Sequence, residues 1–449
     1  MSSAILHRSL DKTYPEAVSG EGVFLITRAG DRILDGSSGA AVSCLGHNNR
    51  EVIDAIVKQT QSLSFAHTLF FTSDPAEQLA LHLLAESRAA FAKVSFLCSG
   101  SEAVESALKI ARQYHIYRGE PARVNFVGRA HSYHGNTLGA LAAGNNPARR
   151  GTFGPILAPV FHHVSRCFYD ADVGEGQSEE SYEDGLIAEF EAKIGELGPE
   201  TVAAIIVEPV VGSTLGAAPA TKTYLPRLRK LCDRHGILLI FDEVMCGLGR
   251  SGTYHAWEQL GGVPPDLQTV GKGLAAGYQP LSAVLMAGKI SEAFEAASAE
   301  GAEKFASGHT FQGHAVACAG ALTVQRILKR DGLVRNVAEM GELLRDLLEK
   351  GLPADLVARG ARVRGVGLFR AVDFGTVGRE ELGAPLAGEV GEETFGRGAA
   401  VYPCSAAVDA ILFAPPFIIS NEEVALLVDI FLGALNSVIE GRRARQLSS

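Results

Sequence analysis

Four short stretches of this sequence carry side chains able to do chemistry, each just after an apolar run. The run ILLIF ends in Asp242-Glu243. A carboxylate in that place is costly to bury unless something pairs with it, and a backbone turn, an arginine or a protonated pyridine nitrogen would serve. Lys272 stands in PDLQTVGKGLAAGYQPLSAVL, a Gly-rich and otherwise apolar segment. Desolvation lowers a lysine pKa and frees the neutral amine to attack an aldehyde, although position alone does not separate it from a surface lysine. In FLCSGSEAVESALKIAR, residues Ser99-Gly100-Ser101 open a helix. Gly100 lets the backbone approach an anion, and free N–H groups at the helix start offer a phosphate site. The same letters also spell an ordinary Ser-to-Glu helix cap. Last, His131-Ser132-Tyr133-His134-Gly135 follows RVNFVG. Tyr133 could stack on a planar ring or fill a half-buried core position, and its two histidines lack a third ligand for a metal.

Taken together and in this order, the four stretches supply a phosphate cradle, a stacking aromatic, a carboxylate for a pyridinium and a lysine for an imine. Those are the protein-side requirements of pyridoxal 5′-phosphate (PLP) chemistry. The elements that must position them read as alternating strands and helices. VAAIIVE (202–208) and GILLIFDEV (236–244) are short apolar runs bounded by turn residues, hence buried strands. Helical spacing recurs after residue 101 and after residue 222. Strand alternating with helix predicts an α/β fold with a mainly parallel sheet covered on both faces, and such sheets place ligands at the carboxyl ends of their strands. After about residue 315 the pattern becomes long helices and short strands, a smaller α+β unit. The expected organisation is a segment 1–60 that packs on the small unit, a large cofactor-binding domain 61–312 and a small domain 313–449.

Composition narrows the class. With 47% hydrophobic and 20% charged residues the chain reads as soluble and globular. A net charge of −10 spread along the length leaves no basic footprint for nucleic acid or an anionic membrane, and neither partner is expected. No stretch reads as a span of ~20 apolar residues and the start lacks a leader pattern, so a cytoplasmic location is expected. The seven cysteines are scattered, without a C-x-x-C pair, and predict neither disulfides nor zinc.

Over residues 20 to 435 the sequence resembles the class III (ω-amino acid) aminotransferases of PLP fold type I. DEVMCGLGRSG (242–252) followed by Lys272 in PPDLQTVGKGLAAGYQPLSAV is the most specific match, supported by SGSEAVE, SYHGNTLGA, AIIVEPVVG, GHTFQGHAVACAGAL and LFAPPFIIS. The resemblance implies that Lys272 forms the imine with the cofactor and then moves the proton, and that Asp242 pairs with the pyridinium nitrogen. It further implies that Gly100 and Ser101 bind the phosphate with Thr310 of a neighbouring subunit, that Tyr133 and Val244 sandwich the ring, and that Glu208 orients its polar edge. An obligate homodimer, or a tetramer of such dimers, follows from the shared site. Cys44, Phe70 and Phe71 are the implied substrate-pocket residues.

Departures from the family pattern bear on substrate. Members acting on ornithine- or γ-aminobutyrate-like substrates carry LRFAPP, with an Arg for a substrate carboxylate, where this chain has ILFAPP and Leu412. The Glu that gates that Arg in EPIQGE is Ser213 here, in EPVVGS. The charged stretch some relatives carry before APP is also short, in YPCSAAVDAILFAPP. The expected reaction moves an amino group from an amine or ω-amino compound, held by apolar contacts, to an oxo acid such as pyruvate. Arg250 is one candidate for the acceptor carboxylate, but a structural role in the glycine loop is the favoured reading of it. A 2-oxoglutarate-linked aminotransferase, a PLP decarboxylase and an aminomutase share the fold and stay open. A dinucleotide-binding oxidoreductase is disfavoured, since G-x-G-x-x-G is absent after the first strand.

Overall fold

The computed structural model describes residues 4–302, 304–405 and 407–447. Its centre is built by the segments that are apolar at every position. Val202–Val207 is buried along its whole length and pairs in parallel with Leu238–Asp242. A run buried on both faces has no solvent side to alternate toward, and each such Val or Ile stabilises the fold by about 1.5–3 kcal/mol. The sheet has seven strands in the order Lys93–Leu97, Ser282–Met286, Leu267–Val270, Leu238–Asp242, Val202–Val207, Asn125–Arg129 and Phe161–Val164. Only Ser282–Met286 runs antiparallel to its neighbours. The fold is therefore α/β with a mainly parallel sheet flanked by helices.

The chain leaves five of these strands at one edge, and there it carries Gly100, Tyr133, Glu208, Asp242 and Lys272. The helix Gly100–Tyr117 starts right after the first of them. Ser99 accepts from the amide of Glu102 while Glu102 reaches back to the Ser99 amide, so the expected cap forms.

Two four-stranded sheets lie outside the central one, besides the two-stranded pair Val210–Val211 with Ala218–Pro219. Ala17–Glu21, Phe24–Thr27 and Arg32–Asp35 form an antiparallel unit, and Arg32–Asp35 is joined in parallel by Ala399–Ala400. Arg362–Val366, Phe369–Asp373, Ala410–Phe413 and Tyr402–Pro403 form the other. One apolar core holds Val23, Leu34 and Val52 together with Leu344, Phe413 and Phe431, so the first segment packs on the C-terminal unit. The helix Ala315–Arg330 touches both sides, lying against Arg50–Ser62 and Asp74–Glu86.

The C-terminal helix Asn421–Leu447 corrects one expectation. By length and composition it is apolar enough to cross a membrane. Its Leu427, Phe431, Leu435 and Val438 are buried in the small-domain core, which accounts for that composition as the apolar interior face of a packed helix.

Candidate active site

Register sets the first contact of the site. The parallel pairing of Leu238–Asp242 with Leu267–Val270 places Asp242 opposite Thr269. The Thr269 hydroxyl donates to Asp242 Oδ1 at 3.0 Å, and the Val244 amide donates to the same oxygen at 3.1 Å. Asp242 Oδ2 lies 2.8 Å from His134 Nδ1, with the imidazole side chain fully buried. A carboxylate has about four acceptor positions, so one remains for a further donor from the cavity.

Glu208, just past its strand, ties two loops together. It accepts from the Tyr133 amide at 3.0 Å and from the Gly212 amide at 3.1 Å. Burial raises the Glu208 pKa, with nearby His134 opposing the rise. Lys272 follows Gly271 in a short 3₁₀ turn and has a φ of +42°. A non-glycine residue in that left-handed region is strained, and such strain persists where the surroundings hold the residue for a purpose. Desolvation lowers the Lys272 pKa, against the opposing pull of Asp242, Glu208 and Cys246. Burial thus makes the ammonium easier to deprotonate than an exposed lysine.

At the helix start, the cap occupies the amides of Cys98, Ser99 and Glu102 and leaves those of Gly100 and Ser101 outside it. Capping and anion binding are thus compatible on one turn. The backbone here is drawn tight. A Cβ on Gly100 would sit 2.7 Å from Val244 Cγ1, and one on Gly135 would sit 2.6 Å from Ser101 Oγ. Ser101 Oγ in turn accepts from the Asn136 amide at 3.0 Å.

Gly100, Ser101, Tyr133, Glu208, Asp242, Val244 and Lys272 line one cavity of about 210 Å³, beside His134, Ser213 and Met245. Its chemistry fits the implied cofactor. There is a glycine cradle with free amides for a phosphate, an aromatic and a branched apolar side chain for a flat ring, a carboxylate for a ring nitrogen, and a desolvated amine for an aldehyde. His134 is the residue that sequence reasoning missed, having weighed it only as a metal ligand. Its signal was adjacency to Tyr133, but the contact with Asp242 spans more than a hundred residues. Among the described residues no group of three or more His, Cys, Asp or Glu is arranged for a metal.

Other expected residues lie elsewhere. Thr310 is exposed and outside this cavity. Phe70 and Phe71 are 74% and 64% exposed, and Phe71 lines a separate depression with Thr68 and Gln312, so neither reaches this chain's own pocket. Cys44 is corrected as a wall residue. It is fully buried behind the lysine loop, with Sγ 3.5 Å from the Gly273 carbonyl, and burial pushes its thiol up to about 12. Leu412 is fully buried in the sheet between Ala371 and Tyr402. Arg250 has the contacts of the structural role favoured for it and not those of a carboxylate anchor. It donates to the carbonyls of Leu368 at 3.0 Å and Pro415 at 2.6 Å and lies over the Phe417 ring, a strut between the central domain and the C-terminal unit.

The whole chain has relatives. The family profile described as aminotransferase class-III matches residues 7–435. An uncharacterised aminotransferase of Schizosaccharomyces pombe is 39% identical over 95% of this chain and 93% of its own. The vanillin aminotransferase of Capsicum annuum is 34% identical over 96% of this chain and 92% of its own. Among solved structures, an amine transaminase from an uncultivated Pseudomonas species, in its PLP-bound form, superposes with a TM-score of 0.86 at 34% identity, covering 97% of both chains. The chain belongs to the class III aminotransferases, transaminases of PLP fold type I that work with pyridoxal 5′-phosphate.

Proposed function

We propose that this transaminase takes its amino group from an amine or ω-amino compound held by apolar contacts, and passes it to a small oxo acid, pyruvate first, in two alternating half-reactions. The observation that carries this reading is Leu412. It is apolar and fully buried where carboxylate-clamping members of the family carry Arg, and Ser213 stands in the cavity wall where they carry Glu. Arg and its gate are absent together. The Capsicum relative is named for vanillin, an aldehyde without a carboxylate, and the Pseudomonas structure is named an amine transaminase. The second name supports a donor of that class, and the first supports a carboxylate-free partner on the carbonyl side.

Bound PLP supplies an aldehyde that captures the amine and a ring that takes up its electron pair. The protein does the rest. Asp242, held by Thr269, Val244 and His134, presents a fixed negative charge to the ring nitrogen. The amides of Gly100 and Ser101, at a helix N-terminus, hold the phosphate. Lys272, whose pKa desolvation lowers, accepts the substrate proton and returns it one position along. Tyr133, pinned through its amide by Glu208, covers the ring and excludes water.

A homodimer belongs to the same proposal. Phe65, Leu69, Phe70, Phe71 and Phe311 are exposed, and Phe65 packs edge-on to Phe311 with ring centroids 5.9 Å apart, next to Thr310. An aromatic cluster of this kind on a single chain is a surface waiting to be covered. Sedimentation of the purified protein checks the assembly. Mixing Lys272→Ala and Thr310→Ala chains then checks the sharing, because mixed dimers regain one intact site only if Thr310 serves the other subunit.

The test of the donor class is an absorbance titration of the holoenzyme. A carboxylate-free aliphatic amine should bleach the yellow band, and pyruvate should restore it. Bleaching by carboxylated donors alone would overturn the reading of Leu412.

A further inference from the structure

An oxo acid brings a carboxylate to a cavity whose usual guanidinium is missing. The neighbouring arginines are already committed. Arg250 is tied to two carbonyls. Arg364 donates to the Gly216 carbonyl at 2.7 Å and pairs with Asp373 at 2.7 Å. Arg129 is buried and donates to the Glu208 backbone carbonyl at 2.5 Å. All three are buried, and none of them lines the Lys272 cavity.

Arg149 is different. The chain that leaves Tyr133 folds back on itself, with the Asn145 amide donating to the Ser132 carbonyl at 3.0 Å. Asn146 then caps the short helix Pro147–Arg150, and Arg150 Nη1 donates to the Gly144 carbonyl at 3.1 Å, which fixes the return. The fold-back sets Arg149 half-buried with its guanidinium carbon 5.9 Å from the centroid of the Tyr133 ring. Tyr133 is itself a wall of the Lys272 cavity. Among the described residues Arg149 has no carboxylate or carbonyl partner; the Tyr133 ring is its contact. Burial raises the Tyr133 pKa, while Arg149, and to a smaller extent Arg8, pull it down, which places positive charge beside the phenol.

We propose that Arg149 is the carboxylate anchor of the acceptor half-reaction: its guanidinium, standing over the ring of the wall residue Tyr133, pairs with the carboxylate of the incoming oxo acid. The inference rests on the amine-to-oxo-acid reading above and deepens it. A planar guanidinium suits a carboxylate because two parallel N–H donors meet two oxygens. An anchor on a fold-back loop, away from the buried strand of Leu412, leaves the inner pocket apolar for the donor and still serves the acceptor. One active site then handles two unlike substrates.

The experiment compares the two half-reactions of the holoenzyme in wild type, Arg149→Ala and Arg149→Lys. In Arg149→Ala the pyruvate concentration for half-saturation should rise about 10- to 100-fold, the loss expected for a charge-assisted pair. The lysine variant should recover part of it, and half-saturation by a carboxylate-free amine should move less than about twofold. Calorimetric titration with propanoate, which binds without reacting, should show the same weakening in Arg149→Ala. Unchanged pyruvate and propanoate binding, or equal weakening toward amine and pyruvate, would overturn the anchor. If the wild type rejects carboxylate-free amines the donor reading fails by itself, and the propanoate titration still decides Arg149.

Discussion

The floor and the rim of the pocket are built in opposite ways. On the floor, Asp242, Glu208 and His134 are at most 5% exposed, and each is held by contacts from another strand end or loop of the same chain. Around its mouth, Arg149 is half-buried and rests on a single aromatic ring, that of the wall residue Tyr133. A buried charge is tolerated only when its hydrogen bonds are satisfied, so the floor has one arrangement; an exposed side chain pays no such penalty and is free to vary with substrate or partner. The difference teaches that the groups placed for chemistry are fixed by the sheet, while the side chains free to vary with substrate sit on the loops around it.

If that division is right, floor substitutions should impair catalysis with every substrate alike. Lys272→Ala removes the group proposed to move the proton, and turnover with amine and oxo acid should both fall by at least about 10⁴-fold in steady-state assays. A residual rate that depends on the donor would show that substrate-binding groups at the rim share the proton transfer, and the comparison would break. Asp242→Asn keeps the shape but not the charge, and should cost about 10²- to 10³-fold in turnover for both half-reactions.

His134→Phe sharpens the comparison by acting one step back. It leaves Asp242 Oδ2 without its 2.8 Å partner inside the protein. The loss should be about 10-fold in turnover, with little change in half-saturation by pyruvate, which a rim residue would alter first. Stopped-flow measurement of each half-reaction separates the two, and a loss confined to half-saturation would assign His134 to binding instead.

Much of this floor was legible beforehand, for a physical reason. Asp242 ends an apolar run and Lys272 stands in a Gly-rich, largely apolar segment just past a strand, and a charge so placed has to be accounted for. The parallel sheet followed from the same runs, because VAAIIV and LLIFD show no alternation. His134 escaped notice because its partner is distant in sequence and near only through strand order. Cys44 was assigned to the pocket by resemblance, yet it lies behind the Gly273 backbone, a matter of loop path that residue types do not encode. Arg149 was invisible for a similar reason: only the fold-back from Asn145 to Ser132 brings it to Tyr133.

The cradle joins floor to helix, and it should be sensitive to a single methyl. Gly100→Ala would place a carbon 2.7 Å from Val244 Cγ1, a clash that must be relieved by moving a side chain expected to lie against the cofactor ring. Overpacking of this kind costs about 1–3 kcal/mol. It should appear as a lower melting temperature together with faster loss of cofactor on dialysis. A melting temperature that falls while cofactor is retained would place the strain outside the site.

The smallest effect concerns Glu243, which shares the strand end with Asp242 but faces away from the cavity. It is buried and accepts from the amides of Ala256 at 2.8 Å and Trp257 at 3.0 Å. Burial raises its pKa from 4.5 to about 8, although both amides pull the other way. The folded protein therefore holds this proton over a range where the unfolded chain has released it. Stability from this group is fully present below about pH 4.5 and is lost as pH rises toward 8, with a slope of at most about 1.4 kcal/mol per pH unit. Glu243→Gln cannot release the proton, so the melting temperature of the wild type should fall relative to the variant across that window. Parallel curves from pH 5 to 8 would mean that the two amides outweigh burial and that Glu243 is already ionised, a structural carboxylate held in the same way as Asp242 on the floor.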